Sequence, residues 1–223
     1  MLPPALEINN LHVQTNQRQV LHNIALTANK NEFITLLSPD ATDRSTLLEA
    51  IAGINTERQG SIRIHGTESS HLSTAQVAEL GIAYKSKART AALQLSCEDN
   101  LLLPLDDVPS SFGGGMSLAE IYELFPALHQ KRSLPVAQLS AGEQQMLAIA
   151  RILRTGANLL LLDDVSAGLA PISAASLARS LDGLKKLGYT IVMAEQNVHF
   201  AAHLSDRFYL LESGTILRSE PPQ

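Results

Sequence analysis

The chain has 223 residues, of which 45% are hydrophobic and 17% charged, with a formal net charge of −5. That balance describes one large folded domain, or one domain with an inserted subdomain, and excludes a disordered chain. Net acidity and scattered Lys and Arg leave no footprint for nucleic acid, the single cysteine (Cys97) excludes an internal disulfide, and no apolar run approaches the ~20 residues of a membrane helix. Nothing at the N-terminus reads as a signal peptide, so the expectation is a cytosolic chain whose membrane association goes through a partner.

In chain order, Leu6 to Val13 and Val20 to Ala28 alternate apolar and polar residues, which predicts two half-exposed antiparallel strands. Phe33 to Leu37 (FITLL) is a more continuous apolar strand. It leads into a loop, Ser38 to Arg44, and then a helical stretch from Ser45 (STLLEAIAG) that Gly53 can stop. Ser61 to His65 and Ile82 to Tyr84 are short strands. From Lys85 to about Arg154 the pattern is helical, interrupted by Pro104, Pro109 and the run SSFGGGMS; with no strand ahead of it, that glycine run reads as a flexible connection. Asn158 to Asp163 is a strand, Ile172 to Leu187 a helix, Tyr189 to Ala194 a strand and Val198 to Leu204 a helix. A last pair, Arg207 to Leu211 and Thr215 to Leu217, turns at Ser213-Gly214. Alternation of this kind implies an α/β fold with a mostly parallel sheet covered on both faces.

Two strings carry the chemistry. Leu139 to Arg151 reads LSAGEQQMLAIAR, with a Ser and a Gly just ahead of a strongly helical run, so a phosphate could meet free backbone N–H groups at a helix N-terminus. Leu159 to Asp164 reads LLLLDD, a buried parallel strand that presents acids at its C-terminal end. Together they resemble the signature motif and Walker B strand of ABC-type ATPases, in particular the ATP-binding subunits of branched-chain amino acid importers. Those usually carry LSGGEQQ and LLLLDEPSLGLAP where this chain has LSAGEQQ and LLLLDDVSAGLAP.

The resemblance covers almost the whole chain. It implies a P-loop NTPase fold, an ABC-type nucleotide-binding domain over residues 1–223, with an antiparallel β-subdomain and a helical subdomain inserted at about 88–154. It also implies ATP and Mg2+ as cofactors, and a place on the cytoplasmic face of the inner membrane. The implied partners are a second ATPase subunit, two membrane-spanning permease subunits and, indirectly, a periplasmic or extracellular solute-binding protein.

Residue by residue, the resemblance assigns a phosphate loop to Ser38, Pro39, Asp40, Ala41, Thr42, Asp43, Arg44, Ser45 and Thr46, where similar proteins read GPNGAGKST. Pro39, Ser45 and Thr46 match; both glycines and the lysine of the phosphate-loop pattern do not. Glycine supplies positive φ and close backbone approach, and this segment has none. Asp40, Asp43 and Arg44 carry −1 where the family's residues carry +1. The segment therefore reads either as a weak nucleotide site or as a helix-capping loop that holds none.

Thr15, after Gln14, stands where the family stacks a tyrosine on adenine. Lys87, in GIAYKSK, replaces the group that senses magnesium, and its ammonium cannot coordinate a cation. Asp163 matches the magnesium-linked aspartate, with Ser45 as the metal-binding hydroxyl. Asp164 stands for the water-polarising glutamate, one methylene shorter, and Gln196 occupies the switch position. Ser140, Ala141, Gly142, Glu143 and Gln144 keep the signature's character. In the family's head-to-tail dimer that motif completes the partner's ATP site, which implies a heterodimer of one degenerate and one working site.

Three further features have plainer readings. His199 and His203, spaced for one helix face, lack a third metal ligand and read as an ordinary surface. Ser117 to Leu128 (SLAEIYELFPAL) carries an apolar stripe that reads as core, with a groove for a membrane subunit as the alternative. Cys97 reads as buried packing.

Overall fold

The N-terminal alternation folds into β1 (Leu6–Thr15) and β2 (Arg18–Ala28), antiparallel and joined by Asn16 and Gln17, both at positive φ. Positive φ at both turn residues matches the natural twist of a hairpin. The structure, a computed structural model, describes residues 3–55, 57–86, 91–104 and 114–220. After β3 (Phe33–Leu37) come α1 (Ala41–Ile51), β4 (Arg58–Ile64), β5 (Thr67–Glu68), α2 (Thr74–Ala78) and β6 (Ile82–Lys85). The helical stretch contains α3 (Cys97–Leu102), α4 (Leu118–Leu124), α5 (Pro126–Gln130), a 3-10 turn (Val136–Gln138) and α6 (Ala141–Leu153). The chain continues through β7 (Leu159–Asp163), α7 (Pro171–Lys186), β8 (Thr190–Glu195), α8 (Val198–Ala202), β9 (Arg207–Glu212) and β10 (Thr215–Glu220).

Two sheets result. The antiparallel one has the order β2-β1-β4-β5; the other has the order β10-β9-β3-β8-β7-β6 and is parallel except for its β9–β10 edge. The apolar run of β7 shows why a strand needs no alternation when both faces are covered. Leu159 and Leu161 enter a core with α1 and the antiparallel sheet, while Leu160 and Leu162 enter a core with α6 and α7. Each such leucine contributes about 1.5–3 kcal/mol by leaving water.

Four expectations need correction. Helix α1 begins at Ala41 and not at Ser45, because Asp40 caps it, its carboxylate accepting the Thr42 N–H at 2.7 Å, and no glycine interrupts the next turn. Strand β4 begins at Arg58, whose guanidinium binds the carbonyls of Ala50, Ser69, Ser70 and Leu72. The apolar stripe of 117–128 is core as expected, with Ile121, Phe125 and Leu128 buried, but it is two helices and not one, broken at Phe125 by Pro126. The end of the glycine run is docked and not a free connection. Met116 N–H donates to the Leu153 carbonyl at 3.1 Å, and a side chain on Gly115 would strike the Arg154 carbonyl. Pro109 and the run's first residues, 110–113, lie outside the described residues.

Candidate functional site

The C-terminal ends of parallel strands are where an open α/β sheet binds ligands. Here β3 delivers the segment from Ser38, β7 delivers Asp163 and Asp164, β6 delivers Lys85 and β8 delivers Glu195. Short backbone ties hold these ends together: Asp164 N–H donates to the Ala194 carbonyl at 2.9 Å and Ser38 N–H to the Glu195 carbonyl at 3.4 Å.

The segment 38–46 makes its contacts inward. Ser38 and Thr46 are buried, Pro39, Asp40 and Thr42 are exposed, and none of the nine residues has positive φ. Ala41 and Thr42 are already in the first turn of α1, so the helix N-terminus that a phosphate would use is capped by the Asp40 carboxylate. Asp43 is buried, and its Oδ2 accepts the Gly214 N–H of the β9–β10 turn at 2.9 Å. Arg44 is 1% exposed; Nη1 donates to the Ser38 carbonyl and Nη2 lies 3.7 Å from Asp164 Oδ2. Its charge is spent on the protein itself.

The strand-end carboxylates have their own neighbours. Ser45 Oγ donates to Asp163 Oδ2 at 2.7 Å, and the Tyr84 hydroxyl donates to the same oxygen at 3.2 Å. Burial first, then Asp163 and Glu49, push the Tyr84 phenol far above its ordinary value, so it stays a donor. Asp163 Oδ1 is buried with no hydrogen-bond partner among the described residues. Lys85 is 5% exposed, and its ammonium lies 3.5 Å from the Asp163 carbonyl oxygen. Asp164 has φ +49°, in the left-handed region that Asp tolerates better than most residues. Behind it the buried Glu195 accepts the Ser166 N–H at 2.8 Å and the Ser166 hydroxyl at 2.9 Å. Burial nevertheless raises its pKa. Gln196 follows, exposed.

Oxygen donors and phosphate cradle therefore part company. Ser45 and Asp163 are together, and the unpartnered Asp163 oxygen is a foothold for a divalent cation. Mg2+, however, is usually completed by substrate phosphates. Nothing in 38–46 offers a phosphate a nest of positive-φ backbone, a free lysine or an uncapped helix end. As a whole, the residues do not fit a magnesium nucleotide.

Other expected residues are placed elsewhere. Thr15 accepts from Asn55 Nδ2 at 3.1 Å, beyond the C-terminal end of α1, with a helix of about 16 Å between it and Ser38. Lys87 lies outside the described residues. Ser140 caps α6 in a reciprocal box: its hydroxyl accepts the Glu143 N–H at 3.3 Å and Glu143 accepts the Ser140 N–H at 2.8 Å. Burial alone would raise the Glu143 pKa, but Lys131 and Ser140 hold it below its ordinary value. Ser140 and Ala141 are exposed, Gln144 donates to the Val136 and Leu139 carbonyls, and Gly142 is buried against Ser173 of α7. His199 and His203 are exposed, and no cluster fit to hold a metal occurs among the described residues.

Sequence reasoning missed Lys85. The signal was a lysine following Ile-Ala-Tyr on a buried strand, where a charge has to find carboxylates.

Residues 21–167 match the ABC transporter family. The high-affinity branched-chain amino acid transport ATP-binding protein BraG of Pseudomonas aeruginosa is 34% identical over 204 residues, 89% of this chain and 85% of that protein. The lipopolysaccharide export system ATP-binding protein LptB of Haemophilus influenzae is 28% identical over 222 residues, 98% of this chain and 91% of that protein. The solved structure of a nucleotide-free ATP-binding cassette superposes with a TM-score of 0.85 at 19% identity, over 99% of this chain and 92% of that one.

Proposed function

Since the chain belongs to the ABC transporter family of ATP-binding domains, we propose that it is the degenerate ATPase subunit of an importer of the branched-chain amino acid type. In this reading it pairs with a second, intact ATPase subunit on two membrane-spanning permease subunits at the cytoplasmic face of the inner membrane. A solute-binding protein feeds that assembly from the other side. Among the described residues no helix is long and apolar enough to cross a membrane, so attachment would go through the permeases.

The observation that carries the reading is a contrast between two helix starts. Both starts are capped and exposed, α1 by the Asp40 carboxylate and α6 by the neutral Ser140 hydroxyl, but α1 puts an acid where a phosphate would lie and its Arg44 is paired within the chain. A chain with an acid at its phosphate segment and a neutral hydroxyl at its signature would contribute to a composite site from the signature side. Ser140 would then lie against nucleotide held by the partner, while Asp164 and Gln196 on the degenerate side would do no chemistry.

The test is ATPase activity of the reconstituted complex. Ser140→Arg should lower it about 100-fold, the scale of losing a donor aimed at developing charge. Ser45→Ala, on the degenerate side, should leave it within about twofold, since a rate changes only when a transition-state contact is lost. Equal losses from both would mean that this chain's own site works. No loss from Ser140→Arg would make the subunit structural only.

A further inference from the structure

Four buried charged residues lie at the ends of β6 and β7 and in the first turn of α1: Arg44 Nη2 is 3.7 Å from the Asp164 carboxylate, and Lys85 Nζ is 3.5 Å from the backbone carbonyl of Asp163. Two buried carboxylates side by side are costly unless cations neutralise them. In a nucleotide-loaded site of this general architecture a metal ion does that. Here two residues of the chain are already in place. Arg44 reaches Asp164 from α1, anchored by its second nitrogen on the Ser38 carbonyl. Lys85 reaches the Asp163 backbone from the neighbouring strand. Asp43, the other acid of this turn, is turned away onto the Gly214 N–H.

We propose that Arg44 and Lys85 are resident counter-ions that replace metal and phosphate, making this half-site a ligand-independent structural joint. The proposal rests on the degenerate-subunit reading and deepens it. Closure of this side would not wait for nucleotide, so that only the partner's site would gate the dimer.

The experiment is thermal unfolding of the purified full chain in EDTA, in millimolar Mg2+ and in Mg-ATP. The wild type should melt within about 1 °C in all three, as expected when nothing binds the native state. Arg44→Met removes the buried guanidinium beside the Asp164 carboxylate and should lower Tm by about 10 °C. Arg44→Met with Asp164→Leu should recover at least half of that loss. Lys85→Met should likewise lower Tm and, combined with Arg44→Met, should create a saturable stabilisation by Mg2+ alone. If the single variants fail to fold, the Arg44→Met/Asp164→Leu pair still reports the coupling, because it leaves no charge of that pair buried.

Stabilisation of the wild type by Mg2+ or Mg-ATP would overturn the proposal, as would unchanged Tm in Arg44→Met and Lys85→Met. Co-purification of the wild-type chain with permease subunits is a separate readout. Its failure alongside the expected melting results would remove the importer reading and leave the joint standing.

Discussion

Returning the 38–46 segment to the family pattern should exchange fold stability for nucleotide affinity. The perturbation is Ser38→Gly, Asp40→Asn, Ala41→Gly, Asp43→Gly and Arg44→Lys. Asp43→Gly removes the carboxylate that accepts the Gly214 N–H, leaving a buried donor unmet at about 1.5–3 kcal/mol. Ala41→Gly in the first turn of α1 costs about 1 kcal/mol more. Asp40→Asn is close to neutral for the helix, since Asn caps as well as Asp.

The combined loss from these two changes, about 2.5–4 kcal/mol, is survivable for a domain with a stability of ~5–15 kcal/mol. It should appear as a fall of about 5–16 °C in Tm. Against this, removing the Asp40 carboxylate from the helix start relieves about 4 kcal/mol of repulsion toward a phosphate 4 Å away, roughly a thousandfold in Kd. Urea denaturation measures the first effect and Mg-ATP titration calorimetry the second. Asp43→Asn alone, which keeps an acceptor, should retain most of the stability. A fivefold variant as stable as the wild type would refute the tie between Asp43 and the β9–β10 turn. Unchanged affinity would refute the view that charge and backbone at this turn keep nucleotide out.

Three further outcomes follow from the packing and the titrating groups. Gly142→Ala would bring a methyl to 2.6 Å from Ser173 Cβ, so α6 and α7 must move apart at about 1–3 kcal/mol, and Ser173→Gly should rescue it in chemical denaturation. Burial alone would raise the Glu68 pKa. Hydrogen bonds from Ser61, Ser70 and the Ile62 N–H nevertheless hold it at about 2, against 4.5 unperturbed, so its stabilisation is complete above pH 4.5 and disappears as pH falls toward 2. Glu68→Gln should flatten that part of a stability–pH curve, and an unchanged slope would contradict the bonding. Burial raises the Cys97 thiol to about 11, with Glu98 and Glu143 adding to it. A disulfide reagent at pH 8 should therefore label the native chain far more slowly than the unfolded one, and comparable rates would place the thiol at the surface.

Elements built from local pattern were readable from the residues alone. FITLL and LLLLD are strands because apolar residues run almost unbroken through them, and α6 starts after Ser140 because Ser and Glu sit three apart as a capping box. The start of α1 was also present locally, in Asp40 as a cap. A family pattern with glycines leads the eye to expect an open loop instead. What was not readable is long-range. Asp43 meets Gly214 across 171 residues and Tyr84 meets Asp163 across 79, so neither partner is visible in any window of sequence. Lys85 belongs to the same class: its meaning depends on which strand lies beside β6. Thr15 was read from an ungapped correspondence, and its contact with Asn55 comes from the way the β1–β2 hairpin lies against α1.

The leucines of β7 divide themselves between two cores, and this has a dynamic consequence. Loosening either core alone still leaves the strand gripped from its other face, with β6 and β8 bonded along its edges. Its amides can therefore exchange with solvent deuterium only when the whole domain opens, placing them among the slowest in the molecule. Asp163 and Asp164 ride on the end of that strand. The two acids of the candidate site thus sit on the least yielding part of the chain, where little motion is left for a ligand to direct.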